Sequence, residues 1–225
     1  MTCKQSAWSG KNAWWCILCL LLSQLVLVAC IIILEEVFHL TLRSSPFKLF
    51  LIQAISGIVA LLVTIVFSGV KRFADLKVFG LGKINWMYVG MSVVLGLLLA
   101  ESALFLVKFT HESPQSMLMK EMSNFGQRGY HYLYAILLIS PFFEEFIMRG
   151  YIYKAFRGNY SIPSSIFFSV VISAFIHPSI LQNFGIAILA ILSLNLLVCI
   201  LREKTDSLWN CLGCHLAYNL ICTIN

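Results

Sequence analysis

The sequence predicts an all-α protein, a polytopic transmembrane helix bundle of about seven spans. Composition is the first reason: 60 % of residues are hydrophobic, 12 % are charged, and mean hydropathy is +0.87. A soluble domain is about half apolar and a quarter charged, so this chain cannot fold in water without exposing large apolar patches. Segment length is the second, because apolar stretches of roughly 20 residues, enough to cross a bilayer, recur along the chain. The third is where the basic residues fall, in the gaps between those stretches.

The spans read, in order, as about 13–34, 47–70, 86–109, 131–157, 163–181, 183–201 and 207–224. The first is too long for a signal-peptide core, lacks a small-residue cleavage site and ends in Glu35-Glu36, so it is expected to stay as an uncleaved span. The seventh is short and polar-spotted. With the N-terminus in the cytoplasm, eleven Lys and Arg fall inside and five outside. That bias agrees with seven spans in a cell membrane, N-terminus cytoplasmic and C-terminus outside. The segment 71–83, KRFADLKVFGLGK, mixes basic and apolar residues and reads either as a helix lying on the cytoplasmic interface or as a plain loop. Residues 1–130 are read as N-terminal membrane helices and 131–225 as a catalytic core, within one structural domain.

Net charge is +6, but no arginine-rich run or basic face appears, so nucleic acid is not an expected partner. The lipid bilayer is. Most of the eight cysteines lie inside apolar stretches, where they act as small hydrophobes rather than a disulfide framework.

Function is sought in the polar residues that a membrane core should exclude. A charge at mid-bilayer costs about 2.5–3.5 kcal/mol. The fourth span contains LLISPFFEEFIMRG, with Glu144, Glu145 and Arg149 close together. Glu145 and Arg149 are four apart, on one helix face in the favourable order. Glu144 points about 100° away from Glu145. The expectation is that Glu145 neutralises Arg149, leaving Glu144 for chemistry; a structural ion-pair cluster at a helix end is the plainer alternative. Pro141 removes an intrahelical hydrogen bond just before the carboxylates.

Further on, His177 lies late in the fifth span, and His215 and Asn219 share a face of the seventh. Counted from the loops near 158–162 and 202–206, Glu144, His177 and Asn219 each lie roughly 20 Å deep. A carboxylate, two imidazoles and a carboxamide in one layer suit peptide hydrolysis. Glu144 takes the role of general base, His177 orients the water or relays the proton, and His215 with Asn219 faces the oxyanion. The same Glu144, His177 and His215 also make a catalytic zinc set, and the sequence leaves both versions open. No H-E-x-x-H motif is present.

Glu144-Glu145-x-x-x-Arg149, a downstream histidine at 177 and His215-x-x-x-Asn219 together resemble the CAAX protease and bacteriocin-processing family of intramembrane proteases (CPBP, or Abi). The resemblance covers residues 131 to 224. It implies a peptidase that is often classed as a metalloendopeptidase, with a glutamate-dependent, metal-free mechanism proposed for CAAX-type members. It makes Glu144, His177, His215 and Asn219 catalytic, with Glu145 and Arg149 as structural neighbours. Its implied partner is a membrane-attached or lipidated peptide, in CAAX-type processing or in bacteriocin maturation and self-immunity. One departure stands out. The family's second motif reads F-x-x-x-H, and here Ser173 occupies the Phe position, with Phe175 two residues off and Pro178 following the histidine.

Other readings compete. Cys211-x-x-Cys214-His215 spells a haem attachment site, but it lies inside an expected span, so haem is not expected. Glu101 in the third span fits either a pair with another helix or a proton path in a proton- or ion-coupled transporter, and Asn195 in the sixth suggests helix contacts, although no inverted repeat is visible. A non-catalytic immunity or scaffold protein is the third class.

Overall fold

The computed structural model describes residues 8–41, 45–70, 73–108, 127–176 and 186–224. Helices follow one another in the order α1 (Gly10–Glu36), α2 (Pro46–Ser68), α3 (Trp86–Val107), α4 (Gln127–Glu145), α5 (Tyr153–Arg157), α6 (Ile162–Phe175), α7 (Ile186–Thr205) and α8 (Leu208–Ile224). A π-helical segment, Phe146–Ile152, joins α4 to α5, so these three form one rod. Among the described residues there is no strand, and the chain is a helical membrane bundle.

Local chemistry sets the helix starts. Ser9, Ser45, Asn85 and Ser161 each accept a backbone N–H of the first turn with the side chain. Pro46 stands at the first helical position of α2, where its missing N–H costs nothing, and Gly69 closes that helix in the left-handed region.

Among the described residues, three helices are long and apolar enough to cross a membrane: α1, Phe47–Ser68 of α2 and Trp86–Leu106 of α3. They carry most of the outward-facing large apolar side chains. The α4–α5 rod, α6, α7 and α8 lie at the places of the other four expected spans. The rod and the end of α7 carry buried charges, as a site inside the membrane requires.

Helix ends cluster as the alternating topology demands. Gly10 N donates to Asn159 Oδ1 at 2.6 Å, Trp8 Nε1 to Ser68 O at 2.9 Å, and Lys154 Nζ pairs with Asp206 at 3.1 Å. The start of α1 and the α2–α3, α5–α6 and α7–α8 connections therefore share one end of the bundle.

The 71–83 segment is not a plain loop. Within it Phe73–Phe79 is a 3₁₀ helix, and its last residue, Phe79, is fully buried. Phe79 stacks on Phe146 at 4.4 Å between ring centroids and meets Trp8 at 5.2 Å. Gly80 follows at φ +95, and a Cβ there would meet the Arg202 guanidinium. The segment plugs the end of the core. An aromatic at its tip, followed by a residue free to adopt positive φ, is what allows it to turn inward.

Elsewhere, α3 and α8 pack backbone to backbone. A Cβ at Gly96 would run into the Cys214 carbonyl, and one at Gly213 would press on Val89 and Val93. This close approach places the residue after Cys214, which is His215.

Candidate active site

Both carboxylates stand where α4 passes into the π segment. Pro141 is buried inside α4 just upstream. π-helical turns inside α-helices are frequent at functional sites, because the extra residue re-aims the side chains around it.

Glu145 is fully buried. Its Oε1 lies 2.7 Å from His215 Nδ1 and accepts from Arg149 Nη1 at 3.4 Å. The expected Glu145–Arg149 pair is thus formed, with a histidine added. Arg149, also fully buried, donates through Nη1 to Ser173 Oγ at 3.3 Å and through Nη2 to the Asn195 carbonyl at 3.2 Å. It also bonds the Asn195 side-chain oxygen. One guanidinium fork therefore ties the rod to α6 and α7.

Glu144 approaches the same histidine from the other nitrogen: its Oε2 is 3.9 Å from His215 Nε2. Its Oε1 accepts a 2.6 Å hydrogen bond from Ser140 Oγ. The side chain is 30 % exposed, against 0 % for Glu145, so Glu144 is the more accessible of the two carboxylates. The two carboxylates, about 100° apart on their helix, nevertheless reach one ring. They converge because imidazole offers two nitrogens on different sides of its ring.

That geometry fixes the ring's chemistry. A carboxylate at 2.7 Å from Nδ1 holds a proton there. Neutral His215 then presents a lone pair at Nε2, and only the imidazolium donates from Nε2. Asn219 lies one turn further along α8, half-buried. His177 and Pro178 lie outside the described residues.

Ser173, the departure from the F-x-x-x-H pattern, is nearly fully buried, and its hydroxyl takes an Arg149 donor. Phe175 points outward at 67 % exposed and forms no wall beside the carboxylates. Glu101 is exposed on α3 and has no ion-pair partner among the described residues.

Three participants were not singled out for the site by sequence. Asn195 stood out only as a polar residue in an apolar span, and Ser140 and Arg202 only by position. Arg202 is fully buried. Its Nε donates to the Arg149 carbonyl at 3.0 Å, inside the widened segment, and its Nη2 to the Phe79 carbonyl at 3.1 Å. A basic residue four before an acidic one, Arg202 to Asp206, was the available signal.

The cysteines beside His215 serve packing. Cys211 and Cys214 are fully enclosed, and Cys211 Sγ lies 3.4 Å from the Val198 carbonyl. Among the described residues no three His, Cys, Asp or Glu side chains are grouped to hold a metal ion. Glu144 Oε2 and His215 Nε2 do fit one edge of such a site, their 3.9 Å separation lying near the roughly 3.4 Å that tetrahedral zinc ligands keep.

No curated protein and no solved structure matches the chain. Residues 127–221 match the family model of type II CAAX prenyl endopeptidase Rce1-like proteins. The match begins with α4 and contains Glu144, Glu145, Arg149, His215 and Asn219. Over that stretch, from α4 to α8, the chain is similar to the type II CAAX prenyl endopeptidases.

Proposed function

We propose that this protein is an intramembrane endopeptidase that hydrolyses a peptide bond in a membrane-attached or lipidated peptide, with Glu144 as general base. The observation that carries this reading is His215 between two unequal carboxylates, one sealed and one accessible.

Glu144 takes a proton from water, and the water oxygen attacks the scissile carbonyl carbon. The negative charge that develops on the carbonyl oxygen is met by His215 and by the Asn219 carboxamide. Glu145, 2.7 Å from Nδ1, fixes the orientation of the His215 ring. Collapse of the tetrahedral species breaks the C–N bond, and Glu144 returns its proton to the leaving amine. His177 orients the water. Were zinc bound, Glu144, His215 and His177 would hold it, and it would supply Lewis-acid polarisation of the carbonyl.

Orientation follows the basic residues. The bundle end that gathers Lys154, Arg157 and Arg202 faces the cytoplasm, in a cell membrane, and the C-terminus lies outside. Substrate then enters from the membrane with its cleavage site in the cytoplasmic half.

The test compares protein termini in membranes from cells carrying the wild type and Glu144→Gln at equal abundance. A small set of termini present with wild type and lost with the variant is expected. Identical sets would overturn the proposal.

A further inference from the structure

Several helical hydroxyls bond back along their own helix; Ser140, like Ser56, bonds a side chain instead. Ser23, Thr64, Ser68, Ser92, Ser102 and Thr205 each donate to a backbone carbonyl three or four residues back. That is the usual bond for Ser and Thr inside helices. Ser140 instead donates forward, one turn along α4, to Glu144 Oε1 at 2.6 Å. The bond has the short length of a charge-assisted O–H···O⁻ contact. On its other side Ser140 borders a crevice walled by Phe50, Ala54, Ile139 and Phe143, with Gln53 its other polar residue. Glu144 is thus the strongest acceptor within the hydroxyl's reach.

We infer that Ser140 is a positioning residue for the reaction: its hydroxyl pins one oxygen of Glu144 and so turns the other, Oε2, toward His215 and the attacking water. The inference rests on Glu144 being the base. A carboxylate on a flexible stem has rotamers that point elsewhere, and pinning one oxygen removes them. The bond is made before substrate arrives, so it acts on the chemical step rather than on affinity.

Two measurements test it. In the first, purified protein cleaves an internally quenched farnesylated C-terminal peptide in mixed micelles. Ser140→Ala is expected to lower kcat about tenfold or more with KM and thermal stability unchanged. Ser140→Thr, which keeps the hydroxyl, is expected to restore it. The second needs no activity. The infrared carboxylate band is expected to shift between wild type and Ser140→Ala, and the shift to vanish when the same pair is made in a Glu144→Gln background. A kcat within twofold of wild type, or no band shift, overturns the inference. Cleavage that survives in Glu144→Gln overturns the proposed base instead, and with it Ser140's catalytic role.

Discussion

Arg149→Met isolates the cost of the buried fork. Methionine keeps most of the apolar stem and removes the guanidinium. The structure defines what is lost: the contact with Glu145 at 3.4 Å, that with Ser173 at 3.3 Å, and two with Asn195. Breaking a buried pair by removing one partner costs about 3–5 kcal/mol, because the other charge stays uncompensated. Here Glu145 retains His215 at 2.7 Å, which argues for the lower end of that range. The orphaned Asn195 and Ser173 groups add about 1 kcal/mol. A total near 4 kcal/mol corresponds to a melting temperature lower by roughly 8–16 °C in a chain of this size. The assay is thermal unfolding in detergent followed with a thiol-reactive dye, since Cys16, Cys199, Cys211 and Cys214 are buried and become reactive only on unfolding. The double variant Glu145→Gln/Arg149→Met is expected to recover more than half of the loss, because no charge is stranded. A single variant melting within 2 °C of wild type, or a double variant no better than the single, would refute the fork as the main support of Glu145.

Other perturbations are equally direct. His215→Ala is expected to abolish cleavage while the protein stays folded, as judged by the same dye, because Arg149 still pairs with Glu145. Gly96→Val drives a side chain into the Cys214 carbonyl and is expected to abolish both folded yield and cleavage, whereas Gly90→Ala, with open space around its Cβ, is expected to do neither. Phe79→Ala empties the plug and is expected to cost about 3–5 kcal/mol in the thermal assay, while Val78→Ala, at an exposed position, stays within about 0.5 kcal/mol.

Much of this was legible in the sequence, for identifiable reasons. Spans follow from run length, and every expected span has a helix at its place. The Glu145–Arg149 pair follows from i,i+4 geometry alone. What stayed hidden needed contacts between distant segments. Glu145 touches His215 seventy residues away, and nothing local says that both carboxylates share one ring. Ideal helical spacing sets the two carboxylates about 100° apart, and they share the ring only because it offers a nitrogen to each. Ser173 read as a defect in a pattern until Arg149 was seen to use it. The segment 71–83 was ambiguous because its basic residues advertise an interface while a single aromatic, Phe79, decides its fate.

The close seat of α8 against α3 has a consequence for the order of assembly. Glu144, Glu145 and Arg149 leave the ribosome well before His215, and α3 enters the membrane before any of them. The Glu145–Arg149 pair lies within one rod made before α8, and Gly96 of α3 is where the α8 backbone at Cys214 comes closest. Only when α8 packs there does His215 meet both carboxylates. Completion of the proposed site therefore waits on α8, the last helix of the chain.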